Sequence, residues 1–403
     1  MGLNLDQIIF FEKNQKIAGK KIVIFGAGIV CKKFITNFDK SLIHSIVDNN
    51  QSLWGTTYEG INVRNPTSLN KLDHSKILVL ITTTSFLSVI KQIKKINKKL
   101  EINVKNYLKN LIYIENLQNL KKKILISSGL PSEKNRNSGG GLYEINLKGN
   151  FYEIKKVYSG IVHGIIKIKN SFAISDSTNG IMLLDKNYKI VKKGKYPLNT
   201  RAHGIAFDHI SKRFYVACSL TDQIKIFDKD LNNKGFISIS NKFKEYKSAQ
   251  HHINDIIVKD KFLYISMFSL SGNHKRNVYD GGVIEFNLKN KKVTNKLYGN
   301  LKMPHSIKYI NDSFAVLDSL NGNLFLGNEL FATFNGFSRG LSFDGVYYYI
   351  GQSRNRNFTL VDSKKNNISI DNTILIYDAK NRISRNLYLP FSIAEIHEVL
   401  VLD

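Results

Sequence analysis

A short tripeptide recurs along the chain at near-regular intervals. His163-Gly-Ile, His203-Gly-Ile, His305-Ser-Ile and Arg339-Gly-Leu each open a β-like run. His251 or His252 takes the same place in HHINDI, and His397-Glu-Val does so at the end of the chain. The intervals are 40, about 49, about 53, 34 and 58 residues, the size of a four-stranded propeller blade at about 40–50 residues. A second run follows in each repeat, with Ser177, Ser319 and Ser353 each 14 residues after the opening His or Arg and Ser219 16 residues after His203. Third-strand candidates are GIMLLD, QIKIFD, GGVIEF, NLFLG and TILIYD. The last repeat has only EIHEVLVLD, while KILISSG, GGGLYEINL and FYEIKKVYS stand unpaired before the first. One blade shared between the two ends closes the ring and removes the exposed sheet edges. The expectation is an all-β six-bladed β-propeller over residues 123–403.

Inner strands line a propeller's central channel, so the repeated residues form a ring at one mouth: His163, His203, His251 or His252, His305, Arg339 and His397. Three readings compete. Neutral imidazoles suit a divalent metal with an open coordination position, with His163, His203, His251, His252, His305 and His397 as candidate ligands. An anion or sugar site is the second, Arg339 offering a bidentate fork and His serving as acid or base. In the third, each His locks its strand to a neighbouring blade. The preferred reading is the metal, with His203, His252, His305, Asp255 and Arg339 as catalytic candidates, Asp255 being a base or the orienter of a His. Arg201, Arg339, Asn254, Arg354 and Arg356 are candidate substrate contacts. The recurring serines are assigned to blade hydrogen bonds, and His274 to the surface or packing. Two polar insertions, 129–141 and 271–282, are candidate roofs over a binding mouth, the second carrying Tyr279 and Asp280.

Before residue 115 the pattern differs. KIVIFG, LIHSIVD and KILVLITT are apolar runs separated by a helical stretch after GAG (26–28) and by Phe86, Val89, Ile90 and Ile93 at helical spacing. Continuous apolar strands alternating with helices predict a parallel, Rossmann-like α/β domain over 1–115, followed by a linker at 116–122. Gly26 and Gly28 occupy the first two positions of G-x-G-x-x-G, Cys31 departs from the third, and Asp48 lies 20 residues after Gly28. These are the candidate contacts for NAD or another nucleotide. The competing reading is a tight turn with Asp48 as a strand cap.

Composition narrows the function classes. Apolar residues make up 42% and charged residues 23%, a globular balance. The net charge is +27, from 59 basic and 32 acidic residues. The lysines scatter instead of forming a stripe, which argues against a nucleic-acid partner. Two cysteines exclude a disulfide framework, and no apolar run reaches the ~18 residues of a membrane span. The expected location is the cytoplasm.

The stretches KIVIFGAG, SIVDNNQSLWGTTYEGINVRNP and ILVLITTTS resemble a small Rossmann-like domain common in bacterial surface-polysaccharide proteins, over roughly residues 20–110. HHINDI, FLYISMFSLSG, DGGVIEF, MPHSIKY and GFSRGLSFDG resemble an uncharacterised family of bacterial six-bladed propellers, with no established reaction. The first resemblance implies an enzyme of cell-surface polysaccharide or glycoconjugate biosynthesis. Its substrate would be a sugar or nucleotide-sugar in the His-lined mouth, handled by metal-assisted lyase, epimerase or hydrolase chemistry. The alternatives are a non-catalytic glycan- or protein-binding scaffold and an NAD-dependent sugar oxidoreductase.

Overall fold

The computed structural model describes residues 19–103, 106–129, 139–195, 200–361, 367–393 and 395–402. Most of the 129–141 insertion lies outside the described residues. The chain forms two units, Met1–Asn116 and Leu117–Asp403.

The amino-terminal unit holds strands β1 (Lys21–Phe25), β2 (Ile43–Val47), β3 (Thr57–Tyr58), β4 (Ile61–Arg64), β5 (Ile77–Ile81) and β6 (Glu101–Asn103) in the order β3-β4-β2-β1-β5-β6. Helix α1 (Ile29–Thr36) covers one face through Cys31, Phe34 and Ile35. Helix α2 (Phe86–Ile96) covers the other through Phe86, Val89 and Ile93. The Rossmann-like α/β expectation is corrected here. The sheet is mixed, because β3 runs antiparallel to β4. Between β2 and β5, where a doubly wound fold places a crossover helix, the chain makes that hairpin and two 3-10 turns, Gln51–Leu53 and Pro66–Lys71. The cause is local. Asn50 and Asn65 cap these turns by accepting the N–H groups of Ser52 and Thr67, which offers the backbone an alternative to a helix. The chain as a whole is therefore nearly all β, with few helices.

The second unit is a six-bladed propeller of four-stranded sheets. Blades 1 to 5 span residues 162–194, 202–238, 253–301, 305–333 and 337–388, each with strands paired in sequence order. In the sixth blade the carboxy-terminal strand Glu398–Val401 pairs antiparallel with Lys121–Ser128, followed by Gly141–Lys148 and Phe151–Tyr158. An apolar cluster fills each of the six interblade seams. At the closing seam Ile124, Ile126 and Tyr143 pack on Tyr349, Ile374 and Ile376. The ring is thus sealed by burial as well as by hydrogen bonds.

The first strand of each of blades 1 to 5 carries a register shift at its start, at Val162/Gly164, Ala202/Ile205, Ile253/Ile256, His305/Lys308 and Arg339/Leu341. Bulges re-aim side chains and leave ladder groups unpaired. Serines of the neighbouring strands take up those groups. Ser175 Oγ accepts the Gly164 N–H and donates to the His203 carbonyl of the next blade. Ser127 Oγ accepts from Glu398 N and donates to the His163 carbonyl. The repeated tripeptide is therefore a bulge that aims its first side chain at the channel mouth.

Candidate functional site

A cavity of about 180 Å³ sits at this mouth, walled by Arg201, His203, His252, His305, Arg339 and His397 from the repeat positions and their flanks. Arg356, Asn357, Met303, Phe268, His274 and Tyr279 complete it. His274 and Tyr279 come from the 271–282 insertion, so that loop does contribute to the wall.

The imidazoles stack as much as they converge. His163 and His203 lie face to face at 4.3 Å and 22°, and His397 meets His163 edge-on at 4.2 Å. His252 stacks on Phe268 at 4.4 Å. Among the described residues no group of three His, Cys, Asp or Glu side chains is placed to hold a metal ion. Stacking explains this, because it turns ring faces, rather than nitrogen lone pairs, toward a common point. His251 is also displaced from the ring. Its Nδ1 meets the Ser269 carbonyl at 2.9 Å and its Nε2 meets Ser240 Oγ at 2.8 Å. His252 is the one that faces the channel, with φ at 53° and its N–H, like those of Gln250 and His251, held by Asp222.

Hydrogen-bond partners fix the tautomers. A carbonyl can only accept, so His305 Nδ1, 2.9 Å from the Met303 carbonyl, carries the proton. Its Nε2 is left as a lone pair. Ser177 donates its only proton to the Ala202 carbonyl at 3.0 Å, so His163 Nδ1, 3.0 Å from the same hydroxyl, is the donor there. His397 donates Nε2–H to Glu395 at 3.2 Å. Burial holds His163, His203, His252 and His305 well below their ordinary 6.5, with neighbouring cations adding to it. His397 is pushed down to about 4. These rings are neutral bases or acceptors at neutral pH.

The charge in the mouth is cationic. Glu395 binds Arg339 at 3.2 Å, Arg356 at 2.8 Å and His397 at 3.2 Å. Burial disfavours its ionised form, but Arg339, His397 and Arg356 together hold the carboxyl well below its ordinary range. Among the described residues no acidic side chain lines the cavity itself. Arg339 Nη1 meets Glu395 as an ion pair, whereas Arg339 Nε and His203 Nε2 are buried and find no partner among the described residues. Arg339 is 7% exposed and His203 6%, so water does not readily replace the missing partners.

Other expected residues stand elsewhere. Asp255 lies deeper in the channel, its carboxylate accepting the Ile256 N–H and packed on Gly204. It neighbours Lys308 and Glu398, which pair at 2.8 Å, and burial pushes it up to about 7. It does not orient a ring histidine. Asn254 donates to the Pro304 carbonyl, and its Oδ1 is without a partner among the described residues. Arg354 lies over the Phe391 ring at 3.9 Å and does not line the cavity. Sequence reasoning missed Glu395, Phe268, Met303 and Asn357, and set His274 aside. Glu395 had one available signal, its place two residues before a repeat His.

In the amino-terminal unit Gly26, Gly28 and Asp48 do meet at one pocket, of about 600 Å³, with Thr82, Thr83 and Ser85 opposite. There the Asp48 carboxylate accepts the Ala27 N–H at 2.6 Å and the Asn50 N–H at 2.8 Å.

Comparison with known proteins adds fold and little else. No curated protein matches the chain. Among solved structures, a protein of unknown function from Bacteroides caccae has a TM-score of 0.50 at 12% identity, covering 70% of this chain and 99% of its own. A chain of a nidogen/laminin complex has a TM-score of 0.48 at 10% identity, covering 70% and 98%. A luciferin-regenerating enzyme has 0.42 at 13%, covering 57% and 76%. Residues 18–107 match a family described as C2185-like, N-terminal. Residues 238–403, the larger part of the propeller, match a family described as a domain of unknown function, DUF4915.

Proposed function

We propose that the propeller mouth is the binding site for a small anionic sugar and that the protein is an enzyme acting on it. The observation that carries this is the buried, unpartnered Nε of Arg339, in a cavity with three guanidiniums and, among the described residues, no lining carboxylate. A buried donor without a partner costs about 1–3 kcal/mol, a cost a bound anion removes. His305 Nε2, kept free of its proton, is the base we assign beside that anion. A base next to an anion clamp suits proton removal, as in lyases and epimerases. A role in cell-surface polysaccharide or glycoconjugate synthesis is supported only by the amino-terminal resemblance.

The test is thermal denaturation of the full chain in millimolar phosphate and in glucuronate. An upward shift that Arg339→Met removes is expected, since a ligand at 100 times its Kd adds about 2.7 kcal/mol. A flat response to every anion overturns the reading. The metal expected from the sequence has its own test, elemental analysis of tag-free protein. A near-stoichiometric metal lost in a His203→Ala/His305→Ala variant would replace the anion reading.

A further inference from the structure

The mouth carries more information than its sign of charge, and the identity of its ligand can be narrowed if the anion reading holds. Arg201, Arg339 and Arg356 line the cavity and Glu395 is ion-paired with two of them. The lining histidines are held neutral by burial. Three cations and one carboxylate leave two positive charges uncompensated. Arg339 is buried and Arg356 half-exposed, so solvent screens part of this excess, and a ligand that cancels both charges is preferred over one that cancels half. A carboxylate brings one negative charge. A phosphate monoester brings about 1.5–2 at pH 7. Arg339 Nη1 faces Glu395, while its Nε has no partner among the described residues; the Nε–Nη2 edge of a guanidinium is the side that can meet two phosphate oxygens.

Size limits the rest of the ligand. The cavity, about 180 Å³, is smaller than the ~300–1,000 Å³ of pockets that enclose drug-sized molecules. A single sugar ring fills such a space, whereas a nucleotide-sugar exceeds it. Part of the wall is apolar and aromatic, made by Phe268, Met303 and Tyr279 with His252 stacked on Phe268. Such a wall suits the C–H face of a sugar ring. We infer that the propeller mouth takes a monosaccharide phosphate, with Arg339 and Arg356 on the phosphate and the ring against Phe268.

The experiment is calorimetric titration of the full chain with glucose 6-phosphate, inorganic phosphate, glucuronate, glucose and uridine diphosphate glucose. The sugar phosphate is expected to bind at least about tenfold more tightly than each of the others. Arg339→Met should abolish its binding. Arg356→Gln, at a half-exposed position, should weaken it about tenfold with a smaller fall in unfolding temperature than Arg339→Met, which guards against a folding artefact in the first variant. Tighter binding of uridine diphosphate glucose or of glucuronate overturns this inference and leaves the anion reading standing. Equal binding of inorganic phosphate and sugar phosphate removes the sugar from it. Binding of glucose alone, or of nothing, overturns both.

Discussion

The propeller mouth and the glycine turn of the amino-terminal unit were both marked by sequence, and they treat their polar groups in opposite ways. At the turn the first two donors are satisfied from within. Gly26 N–H reaches the Val47 carbonyl at 2.8 Å and Ala27 N–H reaches Asp48 at 2.6 Å. The carboxylate therefore holds one donor of the turn and adds negative charge beside the start of α1, which no side chain caps. At the mouth, Arg339 Nε and His203 Nε2 have no internal partner among the described residues. A glycine motif records how a backbone bends. Buried donors left open record that the fold is incomplete without something else.

The largest expected effect tests what holds the open donors in place. Glu395→Gln leaves Arg339, Arg356 and His397 without their shared carboxylate. Breaking a buried ion pair costs about 3–5 kcal/mol, so the urea midpoint of the propeller should fall steeply. Circular dichroism reads that loss. Trp54 is the chain's single tryptophan and lies in the other unit, so its fluorescence transition should not move. Millimolar phosphate should restore part of the midpoint. Equal loss in both transitions would show that the carboxylate acts on the whole chain and not on the mouth.

Acid should open the same contrast without a mutation. His397 is pushed down to about 4 in the fold, mainly by burial, against an ordinary 6.5. As pH falls through 6.5 the unfolded chain takes up a proton that the folded chain refuses. Stability is therefore complete above 6.5 and is lost as pH falls toward 4, by about 3 kcal/mol at 1.36 kcal/mol per pH unit. Glu395, also held down, adds to the loss below its ordinary value of 4.5. Asp255 works in reverse. Burial raises it to about 7 from 3.8, so its contribution falls as pH rises across that window. Asp255→Asn should steepen the acid-side slope measured from pH 4 to 7. An unchanged slope would mean that Asp255 takes up no proton in the fold across this window, against the direction burial sets.

These expectations also show how far the sequence could be read. Blade number, the shared sixth blade and the ring of repeat residues followed from periodicity, because every blade solves the same packing problem with the same bulge. Glu395 has no repeat, since the Arg339, Arg356 and His397 side chains it joins come together at one place only among the described residues. His274 reached the cavity through the 271–282 insertion, away from the repeat positions. His251 and His252 could not be separated, because their order depends on a positive φ at His252 and on the Asp222 cap. The Rossmann-like domain was expected because apolar strands and helical periodicity are local signals. The hairpin and Asx-capped turns that replace a crossover helix lie in residues 48–76, a stretch with little periodicity to read.

Two glycines give the smaller and sharper contrast. A Cβ at Gly204 would stand 2.1 Å from Asp255 Oδ1 and 2.7 Å from its Cα. Gly204→Ala therefore forces the channel apart, at about 1–3 kcal/mol for overpacking, read as a fall in the propeller's circular-dichroism midpoint. At Gly28 the space beside the glycine turn is open, with nothing within 4 Å of an added Cβ and an ordinary φ of −103°. Gly28 caps α1, where exchanging Gly for Ala costs under about 1 kcal/mol, so the Trp54 transition should barely shift. Gly28 also lines the 600 Å³ pocket. If that pocket takes NAD or another nucleotide, Gly28→Ala should cost affinity while stability stays intact. If titration with NAD and uridine diphosphate moves neither the native Trp54 signal nor its midpoint, in wild type or variant, the glycine turn is a bend closed on Asp48. Of the two marked places, only the mouth would then remain as a candidate ligand site.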